Sequence, residues 1–295
     1  MTNAAHTQPV AVVTGANSGI GRATAIHLAA NGFRVYGTVR ERSKAVKLTA
    51  MAEQAGVDVR LAELDITDDA SVRDGFSRIL DAEGKIDVLV NNAGVGGNAV
   101  AEECSPSTYL EVMNVNLCGA VRCQQQVLPI MRERGSGTVV NVSSVVGRVA
   151  ALAQSPYVAS KWALEGMSEG LAQEVAPFGI RVAIVEPGVT KSSIFAKNLE
   201  TPNASGAYDA QYRRLFQMYM TGIAQAADPR EVAATILHAI ATDAPQLRYP
   251  CAWGGSEMIA GRAAMSDADW VALGDHDDDA DYYADFKRLF GVDLV

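Results

Sequence analysis

The sequence predicts a single doubly wound α/β domain, a parallel β-sheet with helices on both faces. Three observations carry this. Short apolar, β-rich runs bounded by Gly or polar residues recur along the chain; longer stretches of helical character separate them; and the alternation continues without an internal repeat or low-complexity linker until about Lys191. Buried parallel strands read as continuous apolar runs because both of their faces are covered.

Strands are expected at 10–13, 33–39, 57–61, 86–90, 138–142 and 180–185, with helices at 22–30, 70–81, 112–134 and 157–175. After about Lys191 the pattern loosens through Glu200-Thr201-Pro202-Asn203-Ala204-Ser205-Gly206, which marks residues 193–224 as a lid or pocket segment. Residues 225–295 are read as C-terminal helices and an acidic tail, including a helix at 230–241 and a short last strand at 247–250. Asp275, Asp277, Asp278, Asp279 and Asp281 cluster beside His276, without the alternating ligands and glycine of a calcium loop. They are read as a solvated acidic face, and no metal site is expected.

Charge and composition narrow the partners. The 295 residues carry 34 acidic against 25 basic side chains, a net charge of −9, with no block of Lys and Arg to track a phosphate backbone. Nucleic acid is therefore not an expected partner. No basic start followed by an apolar stretch opens the chain, and no run of about 18 apolar residues spans a bilayer, so a cytoplasmic protein without a membrane partner is expected. The four cysteines show no Cys-x-x-Cys pairing and are read as free thiols in a reducing compartment.

Chemistry enters directly after the first strand, where Thr14-Gly15-Ala16-Asn17-Ser18-Gly19-Ile20-Gly21 leads into helical residues. Glycines permit a tight turn and close approach to a pyrophosphate, and a helix N-terminus offers it unpaired N–H groups. At the end of the second strand an NAD site places an acid against the ribose; here Val39 is followed by Arg40, with Arg42 and Lys44 nearby. A guanidinium suits a 2′-phosphate, which favours NADP(H), while Glu41 one residue on keeps NAD(H) possible. His27, His6 and His238 lack evident partners and are read as structural.

Tyr157 and Lys161 are spaced by four, which can place a phenol and an ammonium on one helix face. A unit charge roughly 4 Å from a phenol, at an effective dielectric of about 20, is worth about 4 kcal/mol, and so lowers the phenol pKa by about three units. That shift brings it near the range of a working acid–base group.

Further segments complete a pattern: Leu64-Asp65-Ile66-Thr67, Asn91-Asn92-Ala93-Gly94, Asn114-Val115-Asn116-Leu117 and Asn141-Val142-Ser143-Ser144, each after a strand or inside a helix. In its order of motifs the chain resembles the short-chain dehydrogenase/reductase family in its single-domain form, over roughly residues 8–192. The resemblance implies a Rossmann-type fold and an oxidoreductase that moves a hydride between a nicotinamide and a carbonyl or secondary alcohol carbon.

Carried over residue by residue, the resemblance makes Asn116, Ser144, Tyr157 and Lys161 the catalytic set, Ser144 matching because it stands 13 residues before Tyr157. Tyr157 donates the proton in reduction, Ser144 hydrogen-bonds the substrate oxygen, Lys161 lowers the phenol pKa and grips the nicotinamide ribose, and Asn116 holds a water linking the lysine to solvent. Cofactor contacts are implied for Gly15, Asn17, Ser18, Gly19, Ile20, Gly21, Arg40, Ile66, Asn92, Ala93, Gly94, Tyr157 and Lys161, and Asp65 is implied to hold the adenine amino group. In Glu186-Pro187-Gly188-Val189-Thr190-Lys191-Ser192, a hydroxyl contacts the carboxamide. Thr190 and Ser192 both qualify.

Residues 33–40 and 160–166 look similar to hydroxysteroid and retinol dehydrogenases, which points to a lipophilic substrate. The aromatic segment around Phe195, Leu199, Tyr208, Tyr212, Leu215, Phe216, Met218, Tyr219 and Met220 either closes over that substrate or belongs to the core or a subunit contact. A homodimer or homotetramer is expected through the helices at 112–134 and 157–175, with Arg122 and Gln124 to Gln126 either in that contact or on a solvated face. Two alternatives stay open: an NAD-dependent alcohol dehydrogenase of the same family, and a non-catalytic NADP sensor. A nucleotide-sugar epimerase also uses Tyr-x-x-x-Lys, but the glycine spacing here argues against it.

Overall fold

In a computed structural model, which describes residues 8–191, 201–225 and 228–295, seven strands form one parallel sheet in the order β3-β2-β1-β4-β5-β6-β7. The strands are β1 (Val10–Val13), β2 (Arg34–Val39), β3 (Val59–Glu63), β4 (Val88–Asn91), β5 (Gly137–Val142), β6 (Ile180–Pro187) and β7 (Arg248–Cys251). The first strand thus lies inside the sheet, hydrogen-bonded to β2 on one side and β4 on the other. Strand order reverses there, and in open α/β sheets such a switch point leaves a crevice at the carboxyl ends of the strands.

The helices follow from the same alternation. They are α1 (Gly19–Ala30), α2 (Val46–Gln54), α3 (Asp69–Glu83), α4 (Pro106–Met113), α5 (Gly119–Arg134), α6 (Ser155–Val175), α7 (Asp209–Gln225), α8 (Pro229–Ala241), α9 (Gly255–Ala264), α10 (Asp267–Leu273) and α11 (Asp279–Phe290). Successive β1 residues face opposite layers: Val10 and Val12 pack with Phe76 of α3, Val127 of α5 and Leu171 of α6, whereas Ala11 and Val13 pack with Leu28 of α1 and Ile236 of α8. Each fully buried Val, Leu, Ile or Phe among them contributes about 2 kcal/mol of transfer free energy.

The long helix expected at 112–134 is interrupted. A π turn over Asn114–Cys118 separates α4 from α5, and α4 begins earlier, at Pro106, capped by the Ser105 side chain on Thr108 N–H. The third strand sits two residues later than expected, ending on the exposed Glu63.

A separate apolar cluster joins the C-terminal helices to the loop after β5: Val145, Val146 and Val149 pack with Met258, Leu273, Tyr282, Phe286, Phe290 and Leu294. The acidic stretch is therefore not merely a solvated face. Asp278 caps α11 by accepting from the N–H groups of Ala280 and Asp281, and Asp279 pairs with Arg213 and Arg214 at 3.0 and 2.9 Å. Gln124 is likewise neither a subunit contact nor solvated: it is buried and donates to Asn141 Oδ1 at 3.1 Å. Arg122 bonds Asp69 and the Ile66 carbonyl within the chain. The four cysteines are unpaired, and no helix among the described residues is long and apolar enough to cross a membrane.

Candidate active site

The crevice at the switch point is a cleft of about 530 Å³, running from α1 past the ends of β2 and β3 to α6 and α7. At one end Gly15, at φ +68°, lies so close to the turn after β4 that a Cβ would come 2.9 Å from Ala93 Cα. A Cβ on Gly21 would come 2.3 Å from Asn92 Nδ2 and 2.5 Å from the Gly15 carbonyl. Thr14 clamps the two turns together, its hydroxyl accepting from the N–H groups of Asn92 and Ala93 at 2.9 and 3.0 Å. Asn17, Ser18, Gly19 and Ile20 line the cleft; Gly21 lies behind it, as packing. The Ser18 side chain makes no capping bond to α1, and the first turn of the helix holds no acid, so this end keeps the donors and the dipole that suit a phosphate. The backbone cradle fits a dinucleotide.

Val39, Arg40, Asp65 and Ile66 line the next stretch. Arg40 is exposed and makes no hydrogen bond among the described residues, whereas Glu41 turns to Lys44 at 2.5 Å and Arg42 reaches the Leu61 carbonyl at 3.2 Å. Burial pushes the Asp65 carboxyl up. Bonds from the Thr67 N–H and hydroxyl at 2.9 and 2.7 Å, with Arg40 and Arg122 beyond, outweigh it and hold the group below its ordinary value.

At the other end Ser144, Tyr157 and Lys161 converge. Ser144 follows β5 in extended backbone, and its hydroxyl is within 3.4 Å of the Pro187 carbonyl. Tyr157 stands in the first turn of α6 and Lys161 one turn later, with Nζ 5.7 Å from the phenol ring centre and donating to the Val142 carbonyl at 2.9 Å. Burial pushes the Tyr157 phenol up to about 12, against a hydrogen bond with Ser144 that lowers it. Burial pushes Lys161 down to about 8, against the field of Glu165. The direction at Tyr157 differs from the sequence expectation because desolvating the phenolate outweighs the Ser144 hydrogen bond.

Asn116 lies in the π turn, where such irregularities often mark functional sites. Its side chain is buried, accepting from Val95 N–H at 2.8 Å and donating to the Val95 carbonyl and to Ser160 Oγ, both at 2.9 Å. It thus ties the loop after β4 to the residue preceding Lys161. Ala93, Gly94, Pro187, Gly188, Val189 and Thr190 line the cleft, and the Thr190 hydroxyl turns to the Gly188 carbonyl at 3.3 Å. Ser192, like Phe195 and Leu199, lies outside the described residues.

Other groups carry no sequence motif. Tyr219 of α7 borders the cleft, its hydroxyl donating to Asn98 Oδ1 at 2.9 Å and meeting Gln154 Nε2. Gln154 follows Ala153, held at φ +52° in the left-handed region, a strain common at functional sites. Met218 and Met258 complete the wall; the aromatic run around 219 signalled the former, and nothing the latter. Behind Lys161, the buried Glu165 and Glu186 share Arg248 at 3.1 and 3.6 Å, and Arg148 meets Glu186 at 3.3 Å. Burial, then Glu165, pushes the Glu186 carboxyl up to about 7.

Known proteins resemble this chain in sequence and in fold. A family model described as short chain dehydrogenase matches residues 9–203. An uncharacterized oxidoreductase of Bacillus subtilis, YusZ, is 34% identical over 272 residues, covering 90% of this chain and 96% of its own. Mouse 17-beta-hydroxysteroid dehydrogenase type 1 is 36% identical over 251 residues, 81% of this chain and 72% of its own. A crystal structure of a short-chain dehydrogenase from Streptomyces avermitilis superposes with a TM-score of 0.79 at 35% identity, covering 94% of this chain and all of that one. With a matched segment spanning every strand of the sheet but the last, this chain belongs to the short-chain dehydrogenase family.

Proposed function

We propose that this oxidoreductase interconverts a lipophilic ketone and its secondary alcohol using NADP(H), with Tyr157 as the general acid in reduction. The observation that carries the reading is the convergence of Ser144, Tyr157 and Lys161 at one end of a cleft whose other end is a glycine cradle on a helix N-terminus. A bound reduced nicotinamide supplies the hydride. Tyr157, which holds its proton up to about 12, gives that proton to the substrate oxygen. Ser144 donates a hydrogen bond to the same oxygen as charge develops. Lys161, tied to β5, grips the ribose, and Asn116 keeps the helix carrying both residues in register with the loop after β4.

Arg40, which makes no hydrogen bond among the described residues, supports NADP(H) over NAD(H), as does the turn of Glu41 toward Lys44. The hydroxysteroid relative supports a lipophilic substrate. Exposed Leu110 and Trp162, on the packed pair α4 and α6, support a homo-oligomer. The test is turnover of a ketone panel followed by nicotinamide absorbance with NADPH and NADH in parallel; absence of turnover with every ketone would sink the catalytic reading and favour a cofactor sensor.

A further inference from the structure

Beside the reaction cleft lies a second cavity of about 240 Å³, built where the C-terminal helices close over the loop after β5. Ala151, Leu152, Trp270 and Phe286 line it, and Met218 and Met258 line both it and the reaction cleft, so the two spaces share a wall of flexible thioether side chains. Tyr157 packs on the same apolar cluster. Besides the Tyr282 phenol and the Trp270 indole, the mainly apolar lining holds one cation. Arg214 is 2% exposed, and its Nε and Nη2 are satisfied by Asp279 at 2.9 Å and the His276 carbonyl at 2.6 Å, with the guanidinium stacked 4.5 Å over the Tyr282 ring. Its Nη1 has no hydrogen-bond partner among the described residues, although the side chain forms part of the cavity wall.

From this we infer that the second cavity receives the distal half of the substrate, an elongated lipophilic ketone whose far end carries an oxygen acceptor for Arg214. The inference rests on the carbonyl-reducing reading above and deepens it. The apolar wall binds the hydrocarbon, and the guanidinium selects the oxygen, because a ligand that covers Nη1 without offering it a partner leaves that donor unpaired. Opening between the methionines needs only side-chain rotation.

The tests use the full chain with NADPH. Methyl decyl ketone should quench tryptophan fluorescence saturably, and Trp270→Phe should remove that signal. Ala151→Phe, which fills the cavity, should lower the ratio of kcat/KM for methyl decyl ketone over methyl ethyl ketone at least about tenfold, the effect of leaving two or more methylenes unburied. If that variant does not fold, Val271→Trp obstructs the same cavity from an exposed position. Decyl chains ending in a hydroxyl or a carboxylate should bind at least about fivefold more tightly than the plain chain; a carboxylate preference identifies an acidic substrate, and equal gains a neutral one. Equal binding of all three overturns the Arg214 assignment. Ketone turnover with no Trp270 quenching and an unchanged ratio overturns the second compartment and leaves the catalytic reading intact. Quenching without turnover of any ketone does the reverse.

Discussion

Lys161 donates from Nζ to the carbonyl of Val142 at 2.9 Å, so the ammonium one helical turn from Tyr157 is fastened to the last residue of β5. Helix and sheet meet beside the phenol. The strand that leads to Ser144 therefore also positions the charge beside the phenol, and moving either element disturbs both.

Tyr157→Phe keeps the ring and its packing while removing the transferable proton. Turnover should fall by about two to four orders of magnitude, the usual contribution of a positioned acid. NADPH affinity, read by fluorescence titration, should change less than about threefold. Retention of most of the turnover would contradict the role given to the phenol.

Lys161 sits at about 8, lowered by burial and partly restored by Glu165. In the proposed mechanism the ammonium grips the ribose below that value, where it is charged; above it the proton leaves, so kcat/KM for reduction should decline as pH rises through about 8. Glu165→Gln removes the restoring field, and the midpoint should move to lower pH. For stability the sign runs the other way: between about 8 and 10.5 the unfolded chain alone keeps this proton, so the burial cost falls as pH rises across that window. A pH–rate profile of both proteins checks the midpoint shift.

Arg40 should decide the cofactor. Arg40→Ala should reduce kcat/KM with NADPH by about 10- to 100-fold, the worth of one or two charge-assisted hydrogen bonds, and leave NADH little changed. Equal losses with both cofactors would place Arg40 elsewhere than at a 2′-phosphate.

Glu186 is raised from 4.5 to about 7, by burial first and then by Glu165. The folded protein keeps a proton there that the unfolded chain releases, so this contribution is full below 4.5 and lost as pH rises through about 7. Relative to the parent, Glu186→Gln should gain up to about 3 kcal/mol between those limits, since each unit is worth about 1.4 kcal/mol. Urea unfolding of both proteins at pH 5 and pH 8 measures the change. A constant difference would mean that Arg148 and Arg248 keep the carboxylate charged.

Much of the sheet was legible because its signal is local. Residues 10–13 are an apolar run covered on both faces, and β1 begins and ends there. The third strand slipped because its ladder continues through exposed, polar Glu63, where apolarity no longer marks the boundary. The π turn at Asn116 was hidden inside a continuous helical pattern, although Ser105-Pro106 already carried a helix start. In the tail the run of acids masks a second pattern, for Tyr282, Phe286 and Phe290 repeat at helical spacing and form the buried face of α11. Glu165 and Arg248, 83 residues apart, meet only through the fold, and no pattern in one sequence pairs them.

Met218 and Met258 also divide the molecule by how readily it can be altered through descent. On the cofactor side the chain is constrained at its backbone, where a single methyl on Gly15 or Gly21 collides with main-chain or amide atoms. Across the two methionines the wall is side-chain packing, contributed mainly by residues beyond the matched segment 9–203, and such packing tolerates exchange of similar volumes. Selection can therefore rework that wall while inheriting the glycine cradle whole.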